Sequence, residues 1–274
     1  MSGRRGEAPA WRPPQGVLGQ LVSVAREDVT RRRHERPGLL AEVASRPRRA
    51  PRFEAALRSG RGFPLICEVK QSSPSAGLIR RTEPADQARA YVDGGARCVS
   101  VLTEKSRFGG SLDHLRAVRD AVKVPLLRKD FIVDPYMLAE AVEAGADAVL
   151  LIAGAVEPVR LADLWTAARE LGLDVLLEVV QPFELAAPDA LRATLVGVNA
   201  RDLETLVVED ARFERLAPSL RSPGRLLVAE SGIRTPDDVR RLAAAGAGAA
   251  LVGESLMRTE DPAAAVRALV EAIR

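Results

Sequence analysis

The sequence is poor in the residues that cross-link, bind metals or stack: two cysteines, two histidines and 4% aromatics in 274 residues. Cys67 and Cys98 fall inside apolar, strand-like runs and read as small buried hydrophobes of a reducing compartment, with no Cys-x-x-Cys pair. His34 and His114 have no partner at ligand spacing, so no metal site is expected. No Gly-x-Gly-x-x-Gly follows the first strand and no P-loop occurs, which disfavours a nucleotide-binding open sheet. No run approaches the roughly 18 continuous apolar residues of a membrane span. The opening Met-Ser-Gly-Arg-Arg-Gly-Glu has no apolar stretch behind it. An excess of one charge is missing too, since 40 Lys+Arg face 37 Asp+Glu. The run Arg31-Arg32-Arg33-His34 and the basic link Arg46–Arg52 read as solvated faces. The expectation is a cytoplasmic monomer without cofactor, membrane contact or nucleic-acid partner.

What the chain does have is aliphatic mass: 47% of it is hydrophobic, enough for one large core. Residues 1–16, with Trp11 and Pro13-Pro14, read as an arm, and a lone Trp in a polar arm needs a place to bury its ring, such as the rim. Helical patterns follow at Val17–Arg33, Leu39–Ala44 and Phe53–Leu57, expected to cover the bottom face or an edge of what comes next. From residue 64 the pattern becomes periodic. Strand-like runs at Pro64–Lys70, Cys98–Leu102, Pro125–Arg128, Ala148–Ile152, Asp174–Glu178, Ala193–Val198, Arg225–Ala229 and Ala249–Val252 alternate with helical ones. The helical runs are Pro84–Tyr91, Leu112–Ala121, Pro135–Ala144, Glu157–Leu171, Pro182–Ala187, Phe213–Leu216, Pro236–Ala244 and Asp261–Ile273. Ser111, Asp134-Pro135 and Thr235-Pro236 open helices; Gly145, Gly172 and Gly246 close them. Eight strands and eight helices predict an α/β fold, a (β/α)8 TIM barrel with extra N-terminal helices. Residues 1–60 would form the accessory segment and 61–274 the barrel.

In such a barrel the C-terminal ends of the strands line the reaction site. Those ends carry Glu68 and Lys70, Thr103-Glu104, Lys129-Asp130, Glu178, Asn199 with Arg201-Asp202, Glu230-Ser231-Gly232 and Gly253-Glu254-Ser255. Glu68 and Lys70 share one face of their strand, and charge there is hard to justify by packing. Lysines and glutamates converging on one cavity permit acid–base pairs whose pKa values are moved apart. Gly232 and Gly253, after strands seven and eight, leave backbone N–H groups open to an anion such as phosphate. Glu254 there would offer its amide while its carboxylate turns outward. Ser73 or Ser75 in the first loop could add a hydroxyl.

With these residues in view, the chain resembles the indole-3-glycerol-phosphate synthase family. The resemblance rests on Glu68-Val-Lys-Gln-Ser-Ser-Pro-Ser75, Ser100-Val-Leu-Thr-Glu104, Phe108-Gly-Gly-Ser111, Leu127-Arg-Lys-Asp-Phe131 and Leu177-Glu-Val179. It continues through Gly197-Val-Asn-Ala-Arg-Asp-Leu203, Ala229-Glu-Ser-Gly-Ile233 and Leu251-Val-Gly-Glu-Ser-Leu-Met257, and spans residues 17–273. It implies a carboxy-lyase of tryptophan biosynthesis acting on 1-(2-carboxyphenylamino)-1-deoxyribulose 5-phosphate, without metal or organic cofactor. Carried over, Lys129 is the general acid on the C2 carbonyl oxygen, and Glu178 assists proton removal in the dehydration. Lys70 binds the anthranilate carboxylate and donates a proton during water loss. Glu68 orients Lys129 or the substrate hydroxyls, and Asn199 holds a hydroxyl or Glu178. Ser73, Gly232, Gly253, Glu254 and Ser255 grip the phosphate, with Glu230 and Ser231 beside them in the substrate site. Pro74, Phe108, Leu150, Leu203 and Val252 form the apolar slot. Arg201 either serves the substrate side or forms a salt bridge to Glu230.

The chain departs from the family pattern at Val180, where a His is frequent, at Ala200 in place of a second Asn, and at Ala76 in place of a frequent Lys. None touches the expected acid, base or phosphate grip. The rivals on the same type of barrel, phosphoribosylanthranilate isomerase and the tryptophan synthase alpha subunit, do not account for Lys70 and Lys129 together. The same reaction on a modified anthranilate, and a non-catalytic paralogue, are the remaining alternatives; neither an isomerase barrel nor a glutaminase domain is attached, which reads as monofunctional.

Overall fold

Eight short runs of β-branched and aliphatic residues, buried on both faces, pair in parallel and close on themselves. The computed structural model describes residues 11–47, 50–73 and 77–273, and the backbone but not the side chain of Ser73. The strands are β1 (Leu65–Val69), β2 (Cys98–Leu102), β3 (Leu126–Lys129), β4 (Ala148–Ile152), β5 (Asp174–Val179), β6 (Leu195–Asn199), β7 (Leu226–Glu230) and β8 (Ala249–Val252). Each pairs with the next, and β1 pairs with β8 through Leu65↔Ala250, Ile66↔Leu251 and Cys67↔Val252. The expected barrel is present. Strands β3, β6 and β7 sit one or two residues further along than the sequence pattern placed them, so Lys129, Asn199 and Glu230 are their last residues, while β4 and β8 coincide with it.

The outer layer consists of α4 (Pro84–Asp93), α5 (Leu112–Ala121), α6 (Pro135–Glu143), α7 (Pro158–Glu170), the short α8 (Ala187–Ala190), α9 (Arg212–Leu220), α10 (Pro236–Ala244) and α12 (Pro262–Val270), with the rim helix α11 (Glu254–Arg258) after β8. The predicted caps form: Ser111 accepts from the His114 N–H at 3.1 Å, Asp134 from Tyr136 at 2.9 Å, and Thr235 from Asp238 at 3.2 Å. Gly145, Gly172 and Gly246 close their helices with left-handed φ of 87°, 79° and 105°.

Two helix expectations change, both at a proline. Pro182–Ala187 is not one helix but a 3₁₀ turn, Pro182–Glu184, followed by α8. Pro188 has no N–H to bond the Glu184 carbonyl, so a continuous helix would lose a bond there. Conversely, α9 runs on past Leu216 through Pro218, because Ala217 and Leu220 are buried against the barrel and offset the missing bond.

The N-terminal segment touches three faces of the barrel. At the bottom, α3 (Phe53–Leu57) places a fully buried Phe53 under the strands, and Asp174 at the start of β5 accepts the N–H groups of Phe53 and Glu54 at 2.9 and 3.1 Å. On the side, α2 (Leu39–Ala44) packs on α6. The expected edge cover holds for the later part of α1 (Gly16–Glu35), which packs on α6, but not for its start. Its 20 residues make a rod of about 30 Å, long enough to start on the C-terminal rim. There the Val17 N–H bonds the Glu204 carbonyl at 3.0 Å and Arg12 grips the Glu204 carboxylate at 2.8 Å. Trp11, next to Arg12, is half-buried, and its ring nitrogen has no hydrogen-bond partner among the described residues. Among the described residues no helix is long and apolar enough to cross a membrane.

Phe53→Ala should lower the unfolding free energy by about 3–5 kcal/mol, read from denaturant titration, while leaving kcat within a factor of about two. Phe53 plugs the face opposite the cavity described next.

Candidate active site

The cavity at the C-terminal end of the strands has a volume of about 450 Å³. Alternation along each strand decides what enters it. Glu68 on β1, Lys129 on β3, Leu150 on β4, Glu178 on β5, Asn199 on β6, Glu230 on β7 and Val252 on β8 point inward and line it. Lys70, Phe108, Arg201, Leu203, Ser231, Gly232, Gly253, Glu254 and Ser255 join them from the loops. Every sequence-predicted site residue whose side chain is described borders this one cavity. Pro74 and the side chain of Ser73 lie outside the described residues.

Lys129 is the hub. Its ammonium lies 3.5 Å from Glu178 Oε2 and 3.6 Å from Glu230 Oε2. Burial works against the charged amine, but Glu178, Glu230 and Glu68 outweigh it, and the Lys129 pKa is raised. Asn199 donates to Glu178 Oε1 at 3.2 Å, and its own carbonyl oxygen accepts from the Ser231 hydroxyl at 2.7 Å and the Arg201 N–H at 3.0 Å. Ser231 reaches Asn199 from a left-handed backbone, φ 65°, uncommon for a residue with a side chain. Lys70 pairs with Glu68 at 2.7 Å. Burial opposes ionisation of Glu68, yet Lys70 and Lys129 prevail and its carboxyl is held below the ordinary value.

Glu230 behaves differently. Both its carboxyl oxygens are buried with no hydrogen-bond partner among the described residues, and one lies so close to Gly197 that a Cβ there would collide at 2.0 Å. Burial, together with the charge of Glu178, pushes its pKa well up against the pull of Lys129. Burial and Glu178 thus oppose the charge that the neighbouring lysine favours.

The far end of the cavity is built of backbone. Gly232 turns with φ 76° after β7, and Gly253 lies so close to β1 that a Cβ would sit 2.5 Å from Glu68 Oε1. Ser255 donates its hydroxyl to the Ile233 carbonyl at 2.9 Å. The salt bridge considered between Arg201 and Glu230 does not form. Arg201 lies 3.6 Å from Glu254, which also takes Arg258 at 3.0 Å, while Glu230 faces Lys129. The reason is position: Arg201 is two residues beyond β6, on the rim, whereas Glu230 is inside the strand end. The Glu254 carboxylate is thus turned to these arginines.

Sequence reasoning passed over Phe131, Arg234 and Arg258, which also border the cavity. Phe131 and Phe108 approach at a centroid distance of 6.2 Å, and Phe131 stands inside the Arg-Lys-Asp-Phe motif, a usable signal. Arg234 and Arg258 carry no such pattern. Three strand-end polar residues serve the scaffold instead. Glu104 accepts the N–H groups of Ser106, Arg107 and Phe108 at 2.7, 2.8 and 3.1 Å and so shapes the loop bearing Phe108. Asp202 accepts from Glu204 and Thr205, both at 2.9 Å. Thr103 bonds Asp130.

The sequence profile of the family described as indole-3-glycerol phosphate synthase matches residues 18–269. The chain belongs to this family. Curated indole-3-glycerol phosphate synthases resemble it over most of its length. That of Rhodopirellula baltica is 52% identical over 219 residues, covering 80% of this chain and 84% of the relative. That of a Nocardioides species is 49% identical over 257 residues, 92% and 96% of the two chains. Mycobacterium avium supplies one that is 48% identical over 265 residues, 94% and 95%. Among solved structures, 3-hexulose-6-phosphate synthase from Salmonella typhimurium superposes with a TM-score of 0.61 at 17% identity, over 77% of this chain and 98% of that one. Thiamine phosphate pyrophosphorylase from Pyrococcus furiosus gives 0.58 at 15% identity, over 77% and 95%. At such identity these two carry the fold alone.

Glu184, in the 3₁₀ turn after β5, supplies a pH test. It is 5% exposed and accepts the N–H groups of Val180 and Gln181 at 2.5 and 3.2 Å, just beyond Glu178. Burial raises its pKa to about 7 despite those two bonds, with Glu178 adding to the rise. The native state therefore binds this proton more tightly than the unfolded chain. The associated stability is complete below the ordinary carboxyl value and is lost as pH rises through 7. Between pH 5 and pH 8, wild type should lose on the order of 3 kcal/mol relative to Glu184→Gln, measured by denaturant unfolding of both at each pH.

Proposed function

We propose that this cavity cyclises 1-(2-carboxyphenylamino)-1-deoxyribulose 5-phosphate to indole-3-glycerol phosphate, releasing carbon dioxide and water, with Lys129 as the general acid. The chain is a carbon–carbon lyase of a tryptophan-pathway family, and its substrate is a phosphorylated small molecule. The observation that carries the residue assignment is the Lys129 ammonium held 3.5 and 3.6 Å from two carboxyl groups at the centre of the cavity. On one side lies an apolar wall of Phe108, Phe131, Leu150 and Leu203, on the other the glycine turns after β7 and β8.

The chemistry follows that layout. Phosphate at Gly232, Gly253 and Ser255 and the aromatic ring against the apolar wall would extend the substrate across Lys129. The ring carbon bearing the carboxylate attacks the C2 carbonyl, and Lys129 gives its proton to the oxygen as the C–C bond forms. The electrons of the breaking C–CO₂ bond return to the ring, with Lys70 beside the departing carboxylate. Glu178 then takes a proton from C1 while the C2 hydroxyl leaves as water, protonated by Lys70. Asn199 fixes the Glu178 carboxylate through its 3.2 Å bond, and Glu68 fixes Lys70 at 2.7 Å. Glu230, in its neutral form, can donate a hydrogen bond to a substrate oxygen. Ser231, Glu254 through its amide, Arg201 and Val252 complete the contacts, and Ser73 and Pro74 belong to the same proposal from the first loop.

We also read the chain as a cytoplasmic monomer that does not bind nucleic acid, the near-balance of 40 Lys+Arg and 37 Asp+Glu supporting the last point. In the same reading residues 1–60 are accessory and 61–274 catalytic.

Indole fluorescence on adding the carboxyphenylamino-deoxyribulose phosphate should report turnover in wild type. Lys129→Ala and Glu178→Gln should each lower kcat by about 10²–10⁴-fold. Unchanged turnover in Lys129→Ala would remove it from the acid role, and no turnover in wild type would overturn the reaction itself.

A further inference from the structure

Lys129 is held only loosely by its cavity partners, at 3.5 and 3.6 Å, so its position must come from the backbone that carries it. That backbone is fixed from behind. Residues 128 and 130 flank Lys129: Arg128 lies behind it, 2% exposed, and Asp130, 7% exposed, borders the cavity while its carboxylate turns onto Arg128 and Thr103. A buried arginine under a helix is costly, and well-packed apolar residues often serve stability as well. Here every part of it is engaged. Arg128 donates to Thr103 Oγ1 at 3.0 Å, to Asp130 Oδ2 at 2.9 Å, to the Met137 carbonyl at 2.6 Å and to Glu140 at 3.3 Å. Glu140 in turn accepts Arg32 of α1 at 2.6 Å, so two cations meet two anions.

Within this cluster Asp130 has a special place. Its Oδ2 takes Arg128, one residue before Lys129, and the hydroxyl of Thr103 on the neighbouring strand. Its Oδ1 takes the N–H of Phe131 at 2.9 Å, at the start of the turn beyond the strand. The Thr103 N–H meanwhile bonds the Lys129 carbonyl at 3.1 Å. One carboxylate therefore ties the residue before Lys129, the residue after Asp130 and the adjacent strand into a single rigid unit.

We propose that Asp130 is a positioning residue for the reaction: by clamping Arg128, Thr103 and Phe131, it sets the reach of the Lys129 ammonium and the place of the Phe131 ring in the cavity. Asp130 borders the cavity, but both its carboxyl oxygens are already taken by Arg128, Thr103 and the Phe131 N–H. It acts through its two chain neighbours, one polar and one apolar, and so couples the acid to the wall that holds the aromatic ring. The proposal rests on the assignment of Lys129 as the acid.

The test compares wild type, Asp130→Asn, the double variant Arg128→Met with Asp130→Asn, and Lys129→Ala, all as the full chain, in steady-state turnover and thermal melting. Asp130→Asn keeps the size of the side chain but leaves Arg128 short of an anion. It should lower kcat roughly 10- to 100-fold with KM within about threefold. The double variant removes the unpaired cation and should regain melting temperature without regaining kcat, which also covers the case in which Asp130→Asn alone folds poorly. Recovery of kcat together with melting temperature in the double variant would overturn the proposal, because the cluster would then act through stability alone. Wild-type kcat in Asp130→Asn would overturn it as well. Lys129→Ala separates the two claims: if it stays active the acid assignment fails, and if it is inactive while Asp130→Asn is fully active only the present proposal falls.

Discussion

A lysine ammonium buried among carboxyl groups sets the terms for the rest of this molecule. Water would solvate such a cluster cheaply, but the mouth of a closed barrel does not, so the charges must nearly cancel where they stand. Lys70 and Lys129 face Glu68, Glu178 and Glu230, and the sum is neutral when Glu230 keeps its proton. The same burial that makes the cluster expensive strengthens each of its interactions, and the surrounding carboxyl groups favour the charged form of Lys129. Glycine at 197 and 253 is part of this balance, since a methyl group at either position would occupy the space of a carboxyl oxygen.

The barrel carries this cluster on strands and much of the remaining cavity lining on loops. Lys129, Glu178 and Asn199 stand at or next to the ends of β3, β5 and β6, where hydrogen bonding to both neighbours limits movement. The far end of the cavity is made of the turns after β7 and β8, and part of the apolar wall of loops that Glu104 and the Glu204 clamp shape from outside the cavity. In the proposed reaction, precision is thus greatest where a proton moves and relaxed where an anion is merely held.

Much of this was legible in the sequence because strand period and strand-end polarity are both local signals. Glu68, Lys129, Glu178, Asn199 and Glu230 could be placed on one rim from their position at the C-terminal ends of successive strands. Pairings across the rim could not. Arg201 meets Glu254 rather than Glu230 because loop geometry decides how far past β6 it lies, and nothing in the spacing records that. Arg234 and Arg258 reach the cavity from positions without a motif. The course of α1 was hidden for a similar reason: amphipathic periodicity gives a helix one buried face but not the part of the barrel it covers, which the Val17–Glu204 and Arg32–Glu140 contacts fix at its two ends. Prolines misled in both directions, at 188 by their missing donor and at 218 by burial strong enough to override it.

Closure between β1 and β8 has a consequence for how the chain is made. Leu65 pairs with Ala250, so the second neighbour of β1 does not exist until almost the whole chain has been synthesised. Until then β1 and the strands that follow it form an open sheet whose free edges offer unpaired N–H and C=O groups to any other extended segment. The early N-terminal helices are available during that interval, but the partner of α3, Asp174, also arrives late. Before residues 249–252 are made, the nascent chain on the ribosome therefore has no strand to close the β1 edge, and the bottom plug waits for Asp174.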